Sequence, residues 1–213
     1  AAFPPPEIAA ADLSTLALDL ALWGSPDGSD LAFLTPPPEG ALREAQALLT
    51  SLGAIRDGQV TAHGRALAKL PLHPRLGHMV LTGGPGSAAL AALLSDRDPL
   101  HGAGVDTQTR LDALHSGRAD PALNRLRQET KRLHKFEAGM AGQSPAQQAA
   151  RAYPDRIGLR RPGDAPRWHL SGGTGARMDV GDTLSNARLA VMLDLDGDRR
   201  EARVRQALVL SEA

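Results

Sequence analysis

Residues 52–79 read LGAIRDGQVTAHGRALAKLPLHPRLGHM, and their punctuation decides how the rest of the chain is parsed. Asp57 and Gly58 stand between two short apolar segments. Asp-Gly there is the pair that a two-residue hairpin turn requires, because both positions take positive φ. Thr61 then opens a helix over 61–70, and Gly64 within it leaves room for a closely approaching neighbour. The run Leu70-Pro71-Leu72-His73-Pro74 closes that helix, since a residue before proline is pushed out of the helical region. A hairpin with helices on both sides is how a winged helix looks in sequence.

Working outward, residues 1–11 are proline-rich and read as a linker. In 12–23 the apolar residues Leu13, Leu16, Ala17 and Leu20 share one helical face, with Asp12 as the N-cap and Gly24 as the stop. Pro36-Pro37-Pro38 breaks the chain, and 39–52 follows as a second helix with the stripe Ala41, Leu42, Ala45, Leu48, Leu49, Leu52 and Gly53 after its end. Beyond residue 74 the period stays helical over 74–82, 87–95, 106–115, 121–140 and 144–153. From 155 it changes to short β-leaning runs at 156–159, 167–170, 176–178, 189–195 and 202–210, separated by Gly/Asp clusters. Five short strands in some sixty residues predict a small barrel of the OB type. The expected architecture is α+β and multidomain: a linker at 1–11, a winged helix at 12–73, a helical bundle at 74–153 and an OB-like β-barrel at 154–213.

Composition bounds the function classes. The 213 residues include six aromatics and no cysteine, so the cores rest on Leu, Ala and Val, and neither disulfides nor thiolate–metal centres are available. The longest stretch without Asp, Glu, Lys or Arg, 76–95, is cut by Gly83-Gly84-Pro85-Gly86 and predicts two short helices rather than a membrane span. A soluble, cytoplasmic chain is expected. The net charge of zero conceals an asymmetry. Residues 1–60 carry eight acids against two bases, and residues 61–135 carry eleven bases against six acids. A polyanion partner for the middle and a protein partner for the front would account for this, as would solvated faces that sort by sign.

The sharpest local candidate is the basic helix from Pro121. At about 100° per residue, Leu123, Leu126, Leu133 and, more marginally, Phe136 share one side. Arg125, Arg127, Lys131, Arg132 and Lys135 spread over the other, where they either solubilise a bundle helix or contact phosphates without reading sequence. In the barrel, Trp168 is a candidate stacking platform or a core residue. Metal chemistry finds little footing: His73 and His78 are five apart across a proline, and no HExxH occurs. The run Asp194-Leu195-Asp196-Gly197-Asp198 imitates part of a calcium loop, but Arg205 stands where its twelfth-position Glu belongs, so a β-turn is the better reading. No GxSxG elbow occurs, and Ser171 followed by two glycines reads as a loop.

The segments LALDLALWG (16–24), LTPPPEGAL (34–42), LPLHPRLGHM (70–79), LLSDRDPL (93–100), AYPDRIGLRR (152–161) and LSGGTGA (170–176) together resemble the C-terminal accessory region of DEAH/RHA-type ATP-dependent helicases, and within them the bacterial HrpB family. The resemblance covers nearly the whole chain. It implies a winged helix, a ratchet (HA2-like) helical bundle and an OB-like barrel, in that order. It also implies single-stranded RNA or DNA and the motor domains of the same parent chain as partners, with ATP and Mg²⁺ held by the motor. The 213 residues carry no GxxxxGK[ST] loop and no Asp-Glu-x-His, so no cofactor and no catalytic residue are expected in this chain. The resemblance extends the candidate contact set to Arg65 and Arg75 in the best-matched segment, to Ser171 and Gly172 in the glycine-rich loop, and to Arg156, Arg161 and Arg177 in the barrel. Arg65 and Arg75 are equally readable as ties between winged helix and bundle. The family's usual wording has Arg where Thr174 sits, so that contact is not carried over.

Overall fold

A computed structural model of the chain describes residues 6–100, 102–197 and 200–211. The chain divides into two compact units, Ala1–Gly77 and His78–Ala213.

In the first unit, α1 (Ser14–Trp23) and α2 (Glu39–Ser51) pack together, followed by the hairpin β1 (Ile55–Arg56) and β2 (Gln59–Val60) and the short α3 (Ala62–Leu67). Helix α4 (Pro74–Thr82) begins here and continues beyond Gly77. Helix α1 starts one residue later than an Asp12 N-cap predicts. The Asp12 carboxylate accepts the Ser14 N–H at 2.8 Å, and Leu13 takes the N-cap position. Gly24, at φ 84°, ends the helix as expected. The hairpin turn is as the Asp-Gly pair predicts: Asp57 has φ 51° and Gly58 φ 74°, and Ile55 pairs with Val60. Thr61 caps α3 by accepting the Gly64 N–H at 3.0 Å, and its hydroxyl donates to the Gly53 carbonyl at 2.7 Å. That helix ends at Leu67 rather than at residue 70, because Pro71 holds Leu70 out of the helical region. The core is aliphatic, with Leu20, Leu49, Leu52, Ala54 and Leu67 all buried.

The second unit holds α5 (Ser87–Ser95), α6 (Thr107–His115), α7 (Pro121–His134) and α8 (Pro145–Ala152), then the strands β3 (Ile157–Arg160), β4 (Arg167–Leu170), β5 (Gly175–Arg177), β6 (Leu189–Leu195) and β7 (Glu201–Val209). Helix α5 is Ala- and Leu-rich on every side and sits at the centre, against α6, α7 and α8. Its N-terminus is closed from a distance: Glu137 Oε1 accepts the N–H groups of Gly86 (3.0 Å) and Ala88 (2.7 Å). Gln148 Nε2 donates to the carbonyls of Gly83 and Pro85 in the same turn. Helix α8 opens with a full capping box between Ser144 and Gln147. Helix α7 ends at His134 rather than at residue 140. Beyond it the chain runs as a strap that bridges Gly83 to Gly139, so close that a Cβ on Gly139 would lie 2.2 Å from the Thr82 carbonyl oxygen.

The five expected strands close into a barrel in the order β3-β4-β5-β7-β6, with β5 and β7 parallel and the other pairs antiparallel. Bundle and barrel, expected as separate modules, share this one unit. Val105, from the loop before α6, is buried in the barrel's apolar core, and its carbonyl accepts the Ala207 N–H at 2.8 Å. Among the described residues no helix is long and apolar enough to cross a membrane.

Candidate nucleic-acid interface

Helix α7 presents the basic face that its periodicity predicts, with one exception. Asp120 caps it by accepting the N–H groups of Ala122 and Leu123, Pro121 occupies the first turn, and Leu123, Leu126 and Leu133 are buried. Arg125, Lys131, Arg132 and Lys135 are exposed. Arg132 pairs loosely with Glu129 at 3.4 Å, and Lys135 lies 4.9 Å from the centre of the Phe136 ring, leaving both side chains at the surface. The exception is Arg127. Its guanidinium donates to the carbonyls of Leu114 (2.8 Å) and Arg118 (2.9 Å) and to Asn124 Oδ1 (2.8 Å). A cation there satisfies carbonyls at the C-terminus of α6, so Arg127 belongs to the bundle's framework and leaves the candidate set.

Other basic residues of the middle segment are also committed to the fold. Arg75 is largely buried, at 9% exposure. Arg110, 2% exposed, donates to both oxygens of Asp98 and to the Asp106 carbonyl. Part of the charge excess in 61–135 is therefore internal wiring. Arg65, in the last turn of α3, is exposed.

In the barrel, burial and hydrogen bonding select the core reading of Trp168 and overturn the contact reading of the glycine-rich loop. Trp168 is fully buried among Leu170, Met192 and Val204, and its Nε1–H donates to the Ala187 carbonyl at 3.0 Å, so it has no ring face to offer a base. The glycine-rich loop is a tight hairpin rather than an anion cradle. The amides of Ser171, Gly172 and Gly173 donate to the carbonyls of Ile157, Asp155 and Leu170. The Ser171 hydroxyl donates to the Pro154 carbonyl at 2.5 Å. With these donors engaged, Ser171 and Gly172 hold the loop in place instead of meeting phosphate. Arg156 is half-buried, stacked 5.0 Å from the Tyr153 ring centre and donating to the Leu193 carbonyl. Arg161 and Arg177 are exposed.

Asp196 Oδ1 accepts the Arg203 N–H at 2.8 Å within the β6–β7 hairpin, while Asp198 lies outside the described residues. Among the described residues no group of three or more His, Asp or Glu side chains is placed to hold a metal ion. Two carboxylates are shifted by their neighbours. The His73 imidazole at 3.2 Å, with help from Ser14, holds the Asp12 carboxyl far below the usual range. The Ser29 N–H and hydroxyl lower Asp27. Burial lowers the His63 imidazole.

No family profile matches the chain. Among curated proteins, the ATP-dependent RNA helicase HrpB of Escherichia coli is 33% identical over 217 aligned residues, covering 99% of this chain and 26% of the helicase. The ATP-dependent RNA helicase HrpA of the same organism is 35% identical over 85 residues, covering 37% of this chain and 6% of that protein. Two crystal structures of E. coli HrpB, described as a DExH-box NTPase and as a DEAH/RHA helicase, superpose with TM-scores of 0.80 and 0.81 at 30% and 29% identity. Each match covers 99% of this chain. The chain thus spans about a quarter of the length of HrpB. It is homologous to the C-terminal region of E. coli HrpB, a DEAH/RHA-type helicase.

Proposed function

We propose that this chain is the accessory part of a bacterial, cytoplasmic ATP-dependent RNA helicase, and that it grips a single nucleic-acid strand and couples it to the ATPase motor domains of the parent protein. In this reading the first unit is a winged helix that packs on the motor, α5–α8 form the ratchet bundle, and the barrel is OB-like. ATP and Mg²⁺ belong to the motor. The observation that carries the reading is co-linear similarity over 99% of the chain to a protein named as an ATP-dependent RNA helicase. The exposed basic face of α7 supports the grip, since Lys and Arg lining a path hold phosphates without reading bases.

The test is binding of single-stranded RNA and DNA by the 213-residue chain at about 50 mM salt, with Arg125, Lys131 and Arg132 changed together to Ala. The expected result is electrostatic binding whose salt slope becomes less negative by roughly 0.7 for each phosphate that the variant no longer neutralises. No binding at that salt would return the chain to a protein-interaction module docking through its acidic front. A preference for duplex would make it a winged-helix DNA-binding regulator, a role that the acidic residues of α2 disfavour.

A further inference from the structure

The segment that joins α1 to α2, residues 25–38, contains no helix or strand, yet it is firmly held. Gln46 Nε2 of α2 donates to the Pro26 carbonyl at 2.9 Å. Asp27 Oδ1 accepts the Ser29 N–H and hydroxyl at 3.1 and 2.9 Å. The Phe33 ring lies against Gly28, so close that a Cβ there would stand 2.9 Å from its Cε2. Held in this way, Phe33 forms a wall of two clefts in the first unit. One, of about 580 Å³, runs over Leu31, Pro37 and Leu42, and the other, of about 600 Å³, over Ile8, Leu16 and Leu34. Both volumes lie within the roughly 300–1,000 Å³ of ligand-binding clefts.

Leu34 is fully exposed, at 103%, on the rim of the second cleft. A large apolar side chain held out beside an apolar cleft marks a contact surface. The charge around both clefts has one sign. Residues 1–55 contain seven acids and a single base, Arg43, which pairs with Glu39 at 3.4 Å. Glu7 edges the Leu34 cleft, Asp27 and Glu39 edge the Pro37 cleft, and all three are exposed. Glu7 and Asp27 make no ion pair among the described residues. Such a rim repels a phosphate backbone and an acidic peptide alike. An apolar side chain in each cleft, with Lys or Arg beside it, satisfies walls and rim together. Neighbouring clefts that share one wall suit the successive side chains of a linear segment better than the flat face of a folded domain. A second copy of the chain would bring the basic face of α7, whose Leu123, Leu126 and Leu133 are buried, and so charge without an anchor.

We propose that the two clefts sharing Phe33 are the docking site for a linear segment of another protein, one whose apolar anchor residues are flanked by Lys or Arg. The surface lies apart from the nucleic-acid reading above and does not rest on it. The test begins with a phage library of random peptides of about 12 residues, selected against the full 213-residue chain. The most enriched sequence is then made as a fluorescein-labelled peptide. Enriched sequences should carry Leu, Phe, Trp or Met with Lys or Arg beside them. At about 50 mM salt, Asp27→Asn/Glu39→Gln should weaken peptide binding roughly fivefold and flatten its salt dependence. Leu34→Ser, at a fully exposed position, should weaken it roughly three- to fivefold and leave the salt dependence as it was. Asp19→Asn/Glu44→Gln, an equal charge change at exposed positions outside the clefts, should alter affinity less than about twofold. None of these variants should change the melting temperature or the affinity for RNA.

Selection that enriches nothing, or peptides without basic residues, refutes the docking site. So does a peptide that binds the Asp27→Asn/Glu39→Gln variant as tightly as the unaltered chain. A peptide that binds the 213-residue chain but is excluded from the parent helicase with its motor domains would assign the clefts to the motor and overturn the proposal. A dimer of the unaltered chain in sedimentation, dissolved by Asp27→Asn/Glu39→Gln, would assign them to a second copy and overturn it too. Loss of RNA binding by the unaltered chain would sink the nucleic-acid reading and leave the docking site standing.

Discussion

At the scale of single residues, His73 shows how a side chain can look like chemistry and serve architecture. Its Nδ1 accepts the Arg75 N–H at 3.2 Å, which leaves Nε2 as the protonated nitrogen facing Asp12 Oδ1 at 3.2 Å. The pair ties the segment before α1 to the turn before α4, both in the first unit. Because the folded state depresses the Asp12 pKa below its unfolded value of about 3.9, the stabilisation is fully present above that value and is lost as pH falls through the folded pKa. Asp12 is half-exposed, so screening keeps the contribution to about 1 kcal/mol. Asp12→Asn, which retains an acceptor but no charge, should flatten the decline in urea-unfolding stability of the first unit below pH 4. An unchanged pH profile would show that the pair carries no linkage. Arg127 and Trp168 teach the complementary lesson. Helical periodicity placed Arg127 on the outer face, and strand periodicity placed Trp168 in a barrel. Whether a long cation turns back onto a carbonyl 13 residues away, or an indole N–H meets a carbonyl 19 residues on, depends on which turn lies beside it. Composition and spacing carry no record of that neighbour.

At the scale of elements, the parts with local causes were legible. The Asp57-Gly58 hairpin, the spans of β4 and β6, and the starts of α4 and α5 all follow from turn chemistry and period within a few residues. Helix ends were less so, because α7 and α3 stop where distant or proline-imposed geometry takes over. The closure of α5 by Glu137, some fifty residues away, had no local signal. Nor did the alignment of Arg167, Arg177 and Arg203 across β4, β5 and β7, since a strand's alternation gives its outward face but not its register against non-sequential neighbours such as β5 and β7. Gly64 offers a clean test of an element held by close approach. A Cβ there would lie 2.3 Å from the Ala54 carbonyl oxygen and 2.8 Å from Val60 Cγ1. Helix propensity alone favours Gly64→Ala by about 1 kcal/mol. The clash with backbone outweighs it, and overpacking of this kind costs about 1–3 kcal/mol. Gly64→Ala should therefore lower the urea midpoint of the first unit. A raised midpoint would mean that α3 shifts freely away from the hairpin.

At the scale of the whole molecule, the question is what counts as a cooperative part. Sequence period changes near residue 155, which separates a helical stretch from a stranded one, yet the two share one unit because a loop residue of the first completes the core of the second. Val105 is 6% exposed among Trp168, Leu170 and Met192. Its carbonyl accepts the Ala207 N–H, and the hydroxyl of Thr107, two residues on, donates to Gln206 Oε1 of β7. Removing its two methyl groups by Val105→Ala costs about 2 kcal/mol through reduced burial and residual cavity. If bundle and barrel unfold together, that cost must appear in both. Native-state hydrogen exchange should show the slowest amides of α5 and of β6 losing protection by the same factor, about thirtyfold, since each tenfold corresponds to about 1.4 kcal/mol. A drop in protection confined to β6 would make the barrel a separately opening module hinged at residues 153–156. A common factor instead makes the helices α5–α8 and the strands β3–β7 one cooperative body, closed by the single loop residue that both cores share.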